Sequence, residues 1–152
     1  EVCEAALEHG DWDCFLLAGR YTLLEQAALD TFLPKCVERD CSIVIGGAYN
    51  SGILATGVKS EGPFHYDYGK APPSVVDKVG KIESTCEEFG IPLPAAALQF
   101  PLAHPAVASV IPGVGKLARI EQTLELFRTG IPAEFWSALI DRGLLREDAP
   151  TP

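Results

Sequence analysis

The chain has 152 residues and a formal net charge of −9, and its composition is 47% hydrophobic and 22% charged. This length fits one domain with a sizeable core, and the hydrophobic fraction excludes a globally disordered chain. The acidic excess argues against a nucleic-acid partner, because such a partner requires a basic face that neutralises phosphates.

The sequence lacks the patterns of targeting, membrane and metal-binding segments. We find no signal-peptide pattern and no apolar run long enough to cross a bilayer, so we expect a cytoplasmic protein without a membrane partner. The five cysteines form no CxxC pair, and together with the three histidines they match no zinc-ligand spacing. We therefore expect reduced, mostly buried thiols and no metal site.

The first part of the chain alternates helical patterns with short strands. A helix is predicted at 1–10 with no strand before it, and the chain contains no methionine. This is typical either of a removed start or of the downstream part of a longer polypeptide. Apolar runs closed by glycine predict a strand at 14–19, buried on both faces, and a second buried strand at 42–47. Between them, the spacing predicts a helix at 25–39 that Pro34 kinks or subdivides.

A long connection at 48–73, rich in glycine, proline and aromatic residues, follows the second strand. A loop of this length is usually functional or mobile. The remaining predicted elements are a helix at 74–89 with Ser74 as N-cap, a short helix at 94–104 interrupted at Pro101, a strand at 107–111, helices at 116–128 and 132–145, and a frayed tail at 146–152.

Strands that are separated by helices favour an α/β fold with parallel pairing through right-handed crossovers. A complete (β/α)₈ barrel needs eight strands and about 250 residues, whereas only three strands are evident here. The pattern therefore predicts either a small open sheet or the closing portion of a barrel.

Ligands of parallel α/β folds bind beyond the carboxyl ends of the strands, which selects the three loops that follow the predicted strands. The segment 112–116 runs from a strand into a helix, so its N–H groups and the helix dipole favour phosphate, and Arg119 adds a charge-assisted contact. Ser51 and Gly52 predict a second phosphate-facing site. The alternative is that the Pro112-Gly113 pair is merely a tight turn.

Catalytic residues are not evident from the sequence. His65, with Tyr66 and Tyr68, is interpreted either as a proton-donor set, as a lid over a ligand, or as part of a mobile loop without a catalytic role. Loop acids such as Asp67 are usually solvated. Ser51 lacks the flanking pattern of a nucleophile elbow. The residues alone therefore predict a phosphate-binding α/β piece without a visible catalytic centre.

Three segments together carry a family resemblance: RYTLL at 20–24, IGGAYNSGIL at 45–54, and VIPG at 110–113 followed by Arg119 and Leu124. In this order and spacing they resemble the C-terminal part of the aldo-keto reductase family. The middle segment is closest to the branch that holds L-fucose (D-threo-aldose) dehydrogenases and pyridoxal dehydrogenase. The resemblance covers nearly the whole chain but only the last half of the family's TIM barrel, so the three strands correspond to its sixth, seventh and eighth.

This resemblance implies a (β/α)₈ barrel that binds NAD or NADP in an extended form and transfers hydride to or from a carbonyl carbon. By resemblance, the second loop holds the pyrophosphate, the third wraps the adenosine end, and the 48–73 connection folds over the dinucleotide. The implied cofactor-binding residues are Tyr49, Asn50, Ser51, Gly52, Ile111, Pro112, Gly113, Val114, Gly115, Lys116, Arg119, Gln122 and Thr123.

Departures from the family pattern limit these implications. Gly113 stands where the family has a lysine, with Lys116 nearby, and Thr123 stands beside Gln122 where an asparagine commonly reads adenine. Losing a basic phosphate partner weakens a preference for NADP, so both cofactors stay open. The family's catalytic Asp, Tyr, Lys and His belong to its N-terminal half, and their motifs do not occur here.

The expected function is that of an NAD(P)-dependent oxidoreductase acting on an aldose or an aldehyde/alcohol substrate. This chain supplies the cofactor-binding half and no catalytic residue, so a carbonyl or sugar substrate is expected only together with the missing N-terminal half. The alternative is a catalytically inactive truncated module or scaffold. Both alternatives predict homo-oligomers or association through exposed sheet edges.

Overall fold

A computed structural model describes residues 2–59 and 61–152, and its centre is a parallel three-stranded sheet. The strands are β1 (Cys14–Ala18), β2 (Ser42–Gly46), β3 (His65–Tyr66), β4 (Gly69–Lys70) and β5 (Val107–Ile111). The order β1-β2-β5 is parallel throughout, and β3 and β4 form a separate antiparallel hairpin. The predicted α/β fold with three parallel strands is confirmed.

Helices cover one face of this sheet. They are α1 (Val2–Leu7), α2 (Phe32–Glu38), α3 (Ile53–Thr56), α4 (Pro73–Glu88), α5 (Leu93–Gln99), α6 (Leu117–Arg128) and α7 (Ala133–Asp141), with 3-10 turns at Ala27–Leu29 and Phe100–Ala103. On the covered face, Ile43 and Ile45 of the central strand are fully buried. The break predicted at Pro101 is confirmed, since this residue lies in the second 3-10 turn.

Two predicted helix features are wrong, and both involve proline. The stretch predicted as a helix at 25–39 is subdivided into a 3-10 turn and α2, but the break precedes Pro34, which lies in the first turn of α2. N–H groups in a first turn have no intrahelical acceptor, so Pro34 does not kink the helix. The N-cap of α4 is Pro72 rather than Ser74, because Pro73 occupies the first helical position, which proline favours.

The strand predicted to be buried on both faces is covered on one face only. Leu16 of β1 is 61% exposed and Ile111 of β5 is 56% exposed. The register places Leu16 beside Val44 and Ser109 on the uncovered face. A continuous apolar run indicates burial on both faces when a sheet is covered on both sides, and the described part of the chain covers only one.

The long connection and the tail are more ordered than expected. The 48–73 segment contains α3 and the β3–β4 hairpin. A frayed tail was predicted at 146–152, and this prediction is wrong for residues 146–149. The Arg146 backbone N–H donates to Gln26 Oε1 at 3.1 Å, and Ala149 is 6% exposed. The guanidinium of Arg146 also pairs with Asp148 at 2.8 Å. This anchor lies 120 residues away in sequence and leaves no local pattern.

Tyr21 is fully buried, and its hydroxyl has no hydrogen-bond partner within the described part of the chain. Its ring packs against Phe100 at a centroid distance of 5.3 Å. Replacing Tyr21 with phenylalanine is expected to raise the free energy of unfolding by about 1 kcal/mol, because a buried unsatisfied hydroxyl is removed while the ring packing stays. Urea denaturation measures the change.

Tyr66→Phe is the matched control, since the Tyr66 hydroxyl donates to Glu25. This variant is expected to lose stability. A Tyr21→Phe protein that is less stable than wild type would contradict the absence of a partner for the Tyr21 hydroxyl.

Candidate functional site

The loops after the three parallel strands leave the sheet at one edge. Ala18 pairs with Gly46, and Gly46 pairs with Ile111, so all three strands end side by side. Gly19 N–H donates to the Gly46 carbonyl at 2.8 Å, which extends the ladder past β1. At Gly47, with φ of +65°, a Cβ atom would lie 3.2 Å from the backbone nitrogen of Gly19. Glycine is therefore required where the first two loops meet.

Beyond Gly47, the second loop makes a left-handed turn into α3. Asn50, Ser51 and Gly52 have φ values of 44°, 58° and 96°. Backbone bonds close this turn: Asn50 N–H donates to the Gly47 carbonyl at 2.9 Å, and Gly52 N–H donates to the Tyr49 carbonyl at 3.0 Å. Asparagine tolerates this conformation, but serine adopts it at a cost, and such strain concentrates at functional sites.

The Asn50 side chain links the first two loops and keeps one atom unpaired. It is 6% exposed, and its Nδ2 donates to the Gly19 carbonyl at 3.3 Å. Because that carbonyl only accepts, the bond fixes which way the amide points. Oδ1 is then a buried acceptor without a partner among the described residues. A ligand N–H or O–H group would satisfy it.

A small cleft lies at this edge, with a cavity volume of about 60 Å³. Residues 18–20, Gly47, Asn50 and Ser51 line it on the sheet side, and residues 66–68 of the hairpin line the other side. This volume admits only a few water molecules. The cleft therefore accommodates a larger ligand only when the hairpin moves.

Polar contacts hold the hairpin tip over the cleft. Arg20 Nη2 donates to Asp67 Oδ1 at 3.2 Å, and Tyr68 N–H donates to Ser51 Oγ at 3.2 Å. Sequence reasoning selected the loop at Arg20 as a carboxyl-end position but treated Asp67 as a solvated loop acid. The only sequence signal for their contact was this carboxyl-end position of Arg20. His65 is exposed on the hairpin, outside the residues that line the cleft.

Four predicted residues of the second loop, Tyr49 to Gly52, are thus placed at or beside the cleft. Asn50 and Ser51 line it. Tyr49 is half-buried, and burial raises the pKa of its phenol, so the phenol stays protonated at neutral pH. Gly52 supplies the turn into α3.

The other predicted residues lie on the third loop and on α6. Ile111, Gly113, Val114, Gly115, Lys116, Arg119 and Gln122 are exposed, while Pro112 and Thr123 are half-buried. No side chain caps α6 at Lys116, and within its first turn the Arg119 N–H donates to the Lys116 carbonyl at 3.0 Å. The N–H groups of Leu117 and Ala118 remain for solvent or an anion. The Thr123 hydroxyl donates to the Arg119 carbonyl at 2.6 Å. None of these residues lines the cleft, although their loop leaves the sheet beside it.

The chemistry of the cleft is that of binding. Its lining residues carry one guanidinium, one carboxylate, one serine hydroxyl, two tyrosine phenols and one unpaired amide oxygen. Across residues 2–59 and 61–152, no group of three or more His, Cys, Asp and Glu side chains is arranged to hold a metal ion. Over the same residues, no helix has the length and apolar character needed to cross a membrane.

Comparison with known proteins decides the family. Residues 1–141 match the sequence model of the Aldo/keto reductase family. The chain belongs to this family. The chain is 43% identical over 145 residues to pyridoxal 4-dehydrogenase of Microbacterium luteolum and 40% identical over 148 residues to D-threo-aldose 1-dehydrogenase of a Pseudomonas species. The resemblance inferred from the three sequence segments is confirmed.

The matches cover nearly all of this chain but less than half of each relative. The two dehydrogenases are matched over 95% and 97% of this chain and over 42% and 43% of their own lengths. Among solved structures, aldo-keto reductase AKR11C1 from Bacillus halodurans in its holo form superposes with a TM-score of 0.69 at 19% identity. Glycerol dehydrogenase AKR11B4 from Gluconobacter oxydans gives 0.67 at 18% identity. Each superposition covers 95% of this chain and 46% of the other.

These structural matches show a shared fold. The three parallel strands with their helices are therefore part of an aldo/keto reductase (β/α)₈ barrel, as predicted. The uncovered face that carries Leu16 is the face that such a barrel turns toward its interior.

Proposed function

We propose that the chain is the cofactor-binding half of an NAD(P)-dependent oxidoreductase that acts on an aldose or an aldehyde/alcohol substrate. The observation that carries this proposal is the 43% identity to a pyridoxal 4-dehydrogenase over 95% of the chain. A polar cleft at the carboxyl edge of the sheet supports it, because this edge is where ligands bind in parallel α/β folds. The cytoplasmic location predicted from the sequence belongs to the same proposal.

The residues present fit a dinucleotide in chemical type. The buried Asn50 Oδ1 lacks a donor, and a ribose hydroxyl or a carboxamide N–H supplies one. The uncapped start of α6 favours a phosphate, and Lys116 and Arg119 add positive charge beside it. When bound, NAD or NADP would supply the hydride chemistry. The residues of this chain would hold and orient it against a substrate carbon.

The remaining parts of the reaction are assigned to residues outside this chain. The candidates for a proton donor near the cleft are otherwise engaged or lie outside it: the Tyr66 hydroxyl donates to Glu25, and His65 is exposed and does not line the cleft. The chain also spans less than half of each dehydrogenase that it matches. We therefore place substrate turnover in an assembly that includes the rest of the barrel.

Calorimetric titration of the chain with NAD⁺ and with NADP⁺ tests the proposal. Saturable binding of at least one dinucleotide is expected. Arg119→Gln is expected to weaken NADP⁺ binding about tenfold or more, because it removes a charge-assisted contact to phosphate. Arg128→Gln is the matched control, since both arginines are exposed on α6 and Arg128 lies in its last turn.

Calorimetry is preferred to intrinsic fluorescence because neither tryptophan lies in the cleft. Trp136 is 1% exposed in the core, and Trp12 precedes β1 at the opposite end of the strand. If neither dinucleotide binds saturably, the oxidoreductase proposal is wrong for this chain.

A second candidate is a non-catalytic module that associates with itself or with another half-barrel. Two sets of exposed apolar side chains favour it. Leu16 and Ile111 are exposed on the sheet. On α6, a stripe of apolar residues is 45% to 74% exposed: Leu117, Ile120, Leu124 and Phe127. Apolar surfaces of this kind mark association sites. Light scattering over a concentration series tests it, and a monomer at all concentrations would exclude self-association.

A further inference from the structure

Arg20 and Asp67 are the only oppositely charged residues that line the cleft. The Arg20 guanidinium contacts both carboxylate oxygens of Asp67 through one nitrogen, at 3.2 and 3.4 Å. The two side chains are 57% and 54% exposed. An ion pair this exposed contributes little to stability, so its carboxylate is easily exchanged for another anion.

The Ser51 hydroxyl lies at the same cleft and is a second hydrogen-bond donor for an anion. Its Oγ accepts the N–H of Tyr68, the residue after Asp67, at 3.2 Å. Because this bond uses a lone pair of the hydroxyl, the Ser51 O–H proton stays available for donation. A guanidinium and a hydroxyl proton at one small cleft are the donors that phosphate oxygens accept.

The cleft is small compared with a diphosphate, and the Asp67 carboxylate occupies the position beside the Arg20 guanidinium. The cleft volume is about 60 Å³, and the hairpin tip at 66–68 forms one of its walls. Asp67 and Tyr68 also hold left-handed backbone conformations, with φ of 48° and 62°. Non-glycine residues adopt this region only at a cost in free energy, which favours a change of conformation at the hairpin tip.

We propose that Arg20 is an anion-binding residue and that Asp67 is its resident counter-ion, which a ligand diphosphate replaces. The identity of the ligand as a dinucleotide rests on the proposed function, whereas the anion site rests on the cleft alone. Arg20 thus binds the diphosphate together with the Ser51 hydroxyl, and the β3–β4 tip moves out as the ligand enters. Affinity for the diphosphate is set by competition between the ligand and Asp67.

Titration of the full chain with inorganic pyrophosphate, followed by calorimetry, tests this exchange. Asp67→Asn is expected to bind pyrophosphate up to about fivefold more tightly than wild type, because the competing carboxylate is gone. Arg20→Gln is expected to bind it about tenfold or more weakly. The matched controls are Asp77→Asn and Lys81→Gln, which make the same charge changes in an exposed pair on α4.

The two variants are expected to change pyrophosphate affinity in opposite directions. This keeps the test decisive, since a misfolded variant does not gain affinity. Equal pyrophosphate binding by wild type, Asp67→Asn and Asp77→Asn, or no binding by any of them, would overturn the proposal. The same variants titrated with NADP⁺ separate the two proposals. If NADP⁺ binds with the same affinity to wild type and to the Arg20 and Asp67 variants, the exchange is overturned and the proposed function stands. If the variants change pyrophosphate affinity but no dinucleotide binds, the exchange stands and the proposed function is overturned.

Discussion

Replacing Gly47 with alanine is expected to lower the free energy of unfolding by about 3 kcal/mol. Part of this loss is backbone strain, because φ is +65° and an L side chain in this region costs about 1–2 kcal/mol. The remainder arises because the new Cβ would lie 3.2 Å from the nitrogen and 3.6 Å from the Cα of Gly19. These are backbone atoms, which cannot rotate away as a side chain does.

Gly90→Ala separates the two contributions. Gly90 has φ of +66°, nearly the same as Gly47, but no atom lies within 4 Å of a Cβ built on it. This control is expected to cost only the strain, about 1 kcal/mol. Urea denaturation of both variants gives the difference. Equal losses for the two would show that the first two loops do not approach as closely as the structure places them.

Sequence reasoning predicted the sheet well because its signals are local. An apolar run ended by glycine marks each of the first two strands, and Gly19 and Gly47 are the residues that leave the sheet with positive φ. The carboxyl-end rule also selected the correct edge for a site, at Asn50 and Ser51. Each of these inferences requires only neighbouring residues and the geometry of parallel strands.

Contacts between distant residues were beyond the same reasoning. The pair of Arg20 and Asp67 is separated by 47 residues, and the anchor between Gln26 and Arg146 by 120. No periodicity connects such positions, so the hairpin was predicted only as part of a long functional or mobile loop, and the tail as frayed. Burial of Leu16 was overestimated for another reason: hydrophobicity reports the environment in a complete barrel, whereas this chain supplies one covered face.

Two parts of the site therefore rest on different grounds. The cleft at Asn50 combines a required glycine, an unpaired buried acceptor and an exchangeable ion pair, all visible in the structure. The residues on the third loop and α6 were assigned by family resemblance, and most of them are exposed, on the loop and helix that follow the neighbouring strand. A dinucleotide long enough to reach from Ser51 to Arg119 would join them, which is why the Arg119 and Arg20 variants are informative together.

Stability is expected to fall steeply as pH rises above about 9, because two thiols are held protonated in the core. Burial raises the pKa of both Cys36 and Cys86 to about 12, and neither side chain is exposed. Unfolding restores their ordinary values, so between pH 9 and 12 the unfolded chain releases protons that the folded chain keeps. Each thiol then removes up to about 1.4 kcal/mol of stability per pH unit.

Urea denaturation at pH 7, 9 and 10 measures this loss, and because tyrosine also begins to ionise near pH 10, the slope of each variant is compared with that of wild type. Cys86→Ala is expected to be less stable at pH 7, because it leaves a small cavity, but to lose less stability between pH 9 and 10 than wild type. Cys14→Ser is the control, since Cys14 is exposed and its substitution leaves the slope unchanged. A slope that Cys86→Ala does not reduce would show that the buried thiol ionises in the folded protein as readily as in the unfolded one.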